Sequence, residues 1–371
     1  MTALATETTT TVTTHTATML AAVRHALLAV AKRPSVPVLS HLRVWSESGH
    51  LRVAAYDYDT AIIRHLDAEG AIEPMLLPGV QLRDALARLD QKQPVTLGRD
   101  LDKALITQGT RTVTLRLGDM ADYPDLPAVP EGRALSVAGP VLASMVTGVG
   151  PFVGKDDMLP VLTAMHFKLD GDTLYAEATD RFRAAYMSGL VHSHVDTLDV
   201  IVHNMKNVAT IMGKDDTVSV HVDPVNIVFV SASGTICQRL HDGDFPRLRA
   251  LFPSEANTVT EFEPVAFLSA LKFVEAGVRR NEGIEVSVAD GRIDLRATND
   301  DGETTDHIPA EITGEDVRTA FNPTFLTDVV KVFGKDNPVR MSHTLATKPA
   351  VFESDSIPNL RVLLMPRRLV S

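Results

Sequence analysis

The strongest constraint on this chain is a pattern that occurs three times. Leu51-Arg-Val-Ala-Ala-Tyr-Asp57, Leu174-Tyr-Ala-Glu-Ala-Thr-Asp180 and Ile293-Asp-Leu-Arg-Ala-Thr-Asn299 each alternate along a strand and end in Asp or Asn, at an interval of about 120 residues. A second set recurs at nearly the same interval: Gln81 to Asp90, Met205 to Asp215 and Phe325 to Asp336. Each has apolar residues near three- and four-residue spacing, the period of an amphipathic helix. A third feature joins the first two copies only. Asp119-Met-Ala-Asp-Tyr-Pro124 matches His241-Asp-Gly-Asp-Phe-Pro246, each closing a unit before a Pro-containing linker (Pro124 to Pro140, Pro253 to Pro264). Domains are therefore expected at 17–137, 138–260 and 261–371, consistent with 371 residues exceeding what one core usually organises.

Between these landmarks the period is two. Val218, Val220 and Val222 alternate, Asp223-Pro224 turns the chain, and Ile227 and Phe229 resume the alternation, a hairpin signal. A further helix opens each unit, at Met19 to Arg33, Val141 to Gly154 and Phe267 to Arg280. The fold class expected is α+β: three repeated domains, each with two helices and antiparallel sheets. Residues 1–16 are Thr-rich and polar and read as a disordered tail. They lack the apolar core and basic start of a signal peptide. The single cysteine, Cys237, cannot close an internal disulfide, which fits a reducing cytoplasm.

A net charge of −11 argues against an anionic partner unless the positive charge is segregated. It is. The six helical windows, taken as 18–33, 79–90, 138–155, 203–214, 264–280 and 323–335, hold Arg24, Lys32, Arg33, Arg83, Arg88, Lys155, Lys206, Lys214, Lys272, Arg279, Arg280, Lys331 and Lys335, against Asp84, Asp90, Glu275 and Asp328. Helix propensity alone would supply Glu as readily as Lys and Arg, yet the windows contain one Glu. A basic helical face meeting duplex DNA through phosphate contacts, without base readout, is the expectation.

Catalytic patterns fail. Gly148 to Lys155 misses the phosphate-loop spacing twice. Ser269-Ala-Leu-Lys272 lacks the companion motifs of serine acylases. His192, His194 and Asp196 have no further ligand-rich element beside them, and Asp300-Asp-Gly-Glu303 offers too few spaced oxygens for a calcium loop. No catalytic residue, metal or cofactor is expected.

Four motifs lie in register with the repeat: Arg33-Pro-Ser-Val-Pro-Val-Leu39, Ala178-Thr-Asp-Arg-Phe-Arg183, Asp244-Phe-Pro-Arg-Leu-Arg249 and Leu364-Met-Pro-Arg-Arg-Leu369. Together they resemble the bacterial DNA polymerase III beta subunit family, the beta sliding clamps, in its actinobacterial form. The resemblance implies a DNA-clamp fold assembled as a head-to-tail homodimeric ring. It implies a processivity factor that encircles duplex DNA topologically and is no enzyme itself, although it serves a DNA-directed DNA polymerase holoenzyme. It implies a clamp loader, the replicative polymerase alpha subunit, translesion polymerases and repair proteins as partners, in the cytoplasm at the nucleoid, with no membrane. By position, the peptide-binding cleft would use Leu162, Thr179, Arg181, Phe182, Arg183, Pro246, Leu251, Leu363, Met365, Pro366 and Arg368, and the dimer interface Val113 and Leu115 against Phe273 and Val274. Many relatives carry Gly-His at Arg181-Phe182, a hydrophobic residue at Arg367 and Arg at Ala250. The first departure is common in actinobacterial clamps, and together the departures bear on the peptide preference and not on the site. With two residues past Leu369 and a longer Thr-rich start, a specialised or phage-borne clamp paralogue is the alternative expectation.

Overall fold

The computed structural model describes residues 10–31, 33–34, 36–203, 205–277, 282–299 and 302–368. The described chain forms six α-helices: α1 (Thr16–Ala26), α2 (Gly79–Ala87), α3 (Gly139–Val149), α4 (Met205–Met212), α5 (Pro264–Glu275) and α6 (Pro323–Lys331). The helices α5 and α6 begin at Pro264 and Pro323, where proline at the first helical position presets φ. Asn322 also caps α6, accepting from the Phe325 N–H at 3.2 Å. Each of α1, α5 and α6 buries one apolar stripe, such as Leu326, Val329 and Val330 in α6. The expected hairpin forms between Val218–Val222 and Asn226–Ser231. Its turn is held by Asp223 Oδ1, which accepts from the N–H groups of Val225 and Asn226.

The chain divides into two compact units. The first holds the sequence through Pro140 with His192–His194 and Asn207–Leu240. It contains a five-stranded sheet, in the order Glu69–Gly70, Thr11–His15, Pro94–Asp100, Lys103–Gln108 and Arg111–Arg116. Its nine-stranded sheet runs His192–Ser193, Leu135–Val137, Val218–Val222, Asn226–Ser231, Gly234–Arg239, Thr60–Asp67, His50–Tyr56, His41–Glu47 and Met75–Pro78. The second unit holds Val141–Val191, Val195–Lys206 and His241–Ser371. Its nine-stranded sheet runs Asp199–Val202, Met165–Asp170, Thr173–Thr179, Arg183–Leu190, Leu360–Leu364, Ala350–Glu353, Val339–His343, Thr258–Phe262 and Glu311–Gly314. Its four-stranded sheet runs Gly302–Pro309, Arg292–Asn299, Ile284–Ala289 and Val317–Phe321.

The middle repeat is thus divided: some of its strands complete a sheet begun by the first repeat, others a sheet shared with the third. At one junction Gly234 takes φ +142°, and a Cβ there would collide with the Ile63 carbonyl, so glycine lets the two strands meet.

The Thr-rich start needs a correction. Thr11–His15 is a strand, paired with Pro94–Asp100. Val12 is buried, Thr13 bonds Thr96 between hydroxyls at 2.8 Å, and Thr14 donates to the Asp67 carbonyl. A run of threonine is β-branched, and with an apolar residue on the inward face it satisfies a strand. The remainder of the expected tail, residues 1–9, lies outside the described residues.

The repeated strand ends have a mechanical role. Asp57 Oδ1 accepts from the N–H groups of Asp59 and Thr60, and Asp180 Oδ1 from those of Phe182 and Arg183. In the third copy Asn299 Oδ1 accepts from Gly302 at 3.1 Å. Each closes the hairpin to the following strand. The residue after the aspartate has positive φ in both described cases, Tyr58 at +77° and Arg181 at +76°, where glycine is the ordinary choice.

Candidate peptide-binding site

Thr179, Arg181, Phe182, Arg183, Leu363 and Met365 lie on or beside the paired strands Arg183–Leu190 and Leu360–Leu364, whose register places Ala184 opposite Leu363, whereas the backbone of Leu162 bonds Gly154 and Leu159. Three of them are buried: Thr179 (6% exposed), Arg183 (6%) and Leu363 (3%). They build the floor and offer a ligand little surface. Thr179 Oγ1 donates to the Arg183 carbonyl at 2.7 Å and accepts from the Arg181 N–H at 3.1 Å, fixing the turn. Leu363 packs with Ala184 and Leu248, flanked by Phe245 and Phe252.

The surface comes from other members. Phe182 (52% exposed), Leu251 (60%) and Met365 (42%) present apolar side chains to solvent, with Pro246 also exposed and Leu162 and Pro366 half-buried. The Met365 N–H donates to the Phe182 carbonyl at 2.9 Å, so the C-terminal segment lies along the turn. Phe182 stacks on Phe325 of α6, with ring centroids 5.8 Å apart. Leu251 ends a one-turn helix, Leu248–Leu251, anchored by buried Leu248. Arg181 and Arg368 are exposed. An adaptable apolar surface with cations at its edge suits a short peptide with apolar anchors.

Behind this surface Arg183 meets partners that the sequence did not reveal, and a buried histidine cluster lies beside it. Arg183 donates to Asp180 and, at 2.7 Å, to Asp328 of α6, and its Cζ lies 4.4 Å from the Phe325 ring centroid. His166 bonds Glu177 through Nδ1 at 3.0 Å and Asp199 through Nε2 at 2.7 Å, and stacks on Phe245. Burial alone would lower the His166 pKa, but the bonds and charges of Glu177 and Asp199 outweigh it and raise it. Glu177 also receives Arg249 at 2.9 Å, tying this cluster to the one-turn helix that carries Leu251.

Of the cations expected to face DNA, Lys32, Arg279 and Arg280 lie outside the described residues. Arg24, Arg33, Arg88, Lys155, Lys206, Lys214, Lys272, Lys331 and Lys335 are exposed, and Arg83 is half-buried against Asp84 at 2.7 Å. Arg33, Arg88, Lys155, Lys214 and Lys335 follow the ends of α1, α2, α3, α4 and α6 rather than lying within them, whereas Arg24, Arg83, Lys206, Lys272 and Lys331 lie on the helices.

Of the residues expected at a dimer interface, Val113 and Leu115 lie half-buried on an edge strand, Arg111–Arg116, and Phe273 is 58% exposed. Val274 is a correction: it is fully buried, because one residue along a helix turns the side chain about 100° from solvent into the core.

Among the described residues no group of three or more His, Cys, Asp or Glu is placed to hold a metal ion. No described helix is long and apolar enough to cross a membrane. Burial pushes the Cys237 thiol up to about 12, away from reactivity.

Family models match the chain in three consecutive blocks: DNA polymerase III beta subunit, N-terminal domain at residues 10–127, central domain at 136–247 and C-terminal domain at 249–368. The chain belongs to the DNA polymerase III beta subunit family. A beta sliding clamp from Streptomyces coelicolor is 30% identical over 94% of this chain and 96% of its own length. The beta sliding clamp homolog GriR of Streptomyces muensis is 29% identical over 81% of this chain and 82% of its own. Among solved structures, the Pseudomonas aeruginosa DnaN sliding clamp bound to griselimycin has a TM-score of 0.89 at 21% identity, covering 97% of this chain and all of that one. The clamp fold expected from the motifs is therefore the fold adopted. As a beta sliding clamp the chain is a non-catalytic processivity factor in DNA replication.

Proposed function

We propose that this clamp works as a head-to-tail homodimer closed around duplex DNA, with the surface around Phe182, Leu251 and Met365 receiving short peptides from the replicative polymerase alpha subunit, translesion polymerases and repair proteins. The observation that carries the peptide site is that backbone bond between Met365 and Phe182, which sets two exposed apolar side chains over a rigid, buried floor. Three domains are proposed, running from Thr11 to 137, 138–260 and 261–371.

Ring closure has its own support. Among the described residues, the edge strand Arg111–Arg116 of the five-stranded sheet has one unpaired side, and so does Gly302–Pro309 of the four-stranded sheet. The opposite edge of that second sheet is partly covered, by a bridge between Ala320 and Arg367. Beside Gly302–Pro309, Ser269, Phe273, Ala276, Gly277 and Thr304 line an open groove. Two unlike open edges on one chain suit a heterologous contact, which closes into a ring when the rotation permits. Exposed cations on the helices then hold DNA by phosphate contacts alone, and retention comes from topology rather than tight binding. An ATP-driven loader would open one interface, and localisation would be cytoplasmic, at the nucleoid.

Fluorescence anisotropy tests the cleft, using a labelled peptide with a Gln-aliphatic-Phe type motif and a Met365→Ala, Pro366→Ala variant. Saturable binding by the parent and at least a tenfold loss in the variant is the expected result. Equal binding by both would move the peptide site elsewhere.

A second reading is a specialised paralogue with altered partner or inhibitor preference, favoured by near-equal identity to GriR and to the Streptomyces coelicolor clamp. Titration with griselimycin separates the two, since weak binding beside normal peptide binding would mark the specialised form.

A further inference from the structure

We propose that Arg181 sets the charge preference of the peptide cleft, favouring partner peptides that carry a carboxylate beside their apolar anchors. The inference rests on the cleft reading above and deepens it.

Arg181 is the first central residue of the Asp180–Arg183 turn, with φ +76°. Its backbone is clamped there: the N–H is taken by Thr179 Oγ1, and Asp180 Oδ1 caps the next two N–H groups. Strain alone assigns no role, because Tyr58 carries the same φ in the equivalent turn, where its ring packs 5.5 Å from that of Tyr56. What distinguishes Arg181 is its place and its freedom. The next residue is Phe182, whose carbonyl holds Met365, so the guanidinium stands beside the exposed apolar pair, 5.9 Å from the Phe182 ring centroid.

The two arginines of this turn have opposite commitments. Arg183 is buried, and both of its carboxylate partners lie at 2.7 Å. Arg181 has a side chain 57% exposed and reaches Asp156 only at 3.5 Å. An exposed pair of that length contributes little and exchanges readily. Asp156 has a second commitment, since its Oδ1 accepts from the Met158 N–H at 3.1 Å. A carboxylate arriving on a peptide can therefore replace Asp156 at Arg181 without stranding either group. Exposed Arg247 and Arg368 add positive charge on the segments carrying Pro246 and Pro366. Cations around an apolar centre select an anionic flank next to apolar anchors.

Anisotropy on the full chain tests this with two labelled peptides that share Gln-aliphatic-Phe type anchors and differ by Asp or Asn beside them. The parent should bind the Asp peptide about fivefold tighter at low salt, a gap that narrows as salt rises. Arg181→Gly, which suits the backbone, should bring the two affinities together. Arg181→Glu should prefer a Lys-flanked peptide, and Asp156→Asn should widen the parent's preference for Asp. An Asp preference that survives Arg181→Gly, or none in the parent, overturns the proposal. Failure of the parent to bind either peptide overturns the cleft reading itself, a distinct result.

Discussion

The guanidinium of Arg183 lies 2.7 Å from the carboxylate of Asp328, a residue 145 positions later on α6. The bond fastens the turn that carries Phe182 to the helix that carries Phe325, and the two rings stack beside it. Arg183 is buried, so removing it leaves Asp180 without its charge partner in a mostly buried position. Arg183→Ala should destabilise the fold by about 3 kcal/mol. Asp328→Asn, at a more exposed site, should cost about 1 kcal/mol. Urea unfolding of the three proteins reads both, and equal losses would contradict this division of roles.

Tyr58 holds a backbone conformation that costs a non-glycine residue about 1 kcal/mol. Its ring is largely exposed, so little packing is lost with it. Tyr58→Gly should leave the melting temperature unchanged or raise it, whereas Tyr58→Val, with a branched Cβ, should lower it. Thermal unfolding by circular dichroism distinguishes these outcomes, and a clear fall with glycine would refute the strain argument.

His343 is buried, and neither ring nitrogen has a hydrogen-bond partner among the described residues. Burial alone lowers its pKa to about 4. The unfolded chain takes up this proton near 6.5 and the folded chain only near 4, so folding stability is full above pH 6.5. It then falls as pH drops toward 4, by about 3 kcal/mol for this group. Denaturant titrations between pH 7 and 4 should show a smaller loss in His343→Leu than in the parent. Parallel pH profiles would contradict the assignment.

His166 has the opposite sign. Its pKa is raised between Glu177 and Asp199, so its charge stabilises the fold fully below the unfolded value and this contribution is lost as pH rises through the folded pKa. Asp199, held low by His166 and Lys168 against the effect of burial, loses its contribution as pH falls through its own folded pKa. His166→Phe keeps the stack on Phe245 and removes both bonds. It should cost about 2 kcal/mol and weaken peptide binding through the segment Arg249 anchors. Unchanged peptide affinity would mean that the cluster is structural only.

The sequence exposed the repeats, the strand-end aspartates and the six helical regions because these are local patterns with a fixed period. It did not expose which strands meet across repeats. That Gly234–Arg239 joins Thr60–Asp67 depends on long-range register, which no local period records. The strand Thr11–His15 was obscured by composition, since threonine looks polar in a count yet fills a strand well. In the cleft, the apolar and arginine positions were readable from motifs, but Phe325 and Asp328 appeared only as members of an amphipathic helix. Val274 shows the same limit, for neighbouring helical residues face different ways and only Phe273 reaches solvent.

The central claim is that the clamp holds DNA by enclosing it. Purified protein, loaded by a clamp loader onto a nicked circular plasmid, would be followed by gel filtration before and after the plasmid is cut once. Co-elution with the circle and release on linearisation is the predicted result. Equal retention on circular and linear DNA would show binding by contact rather than by topology and would contradict the account.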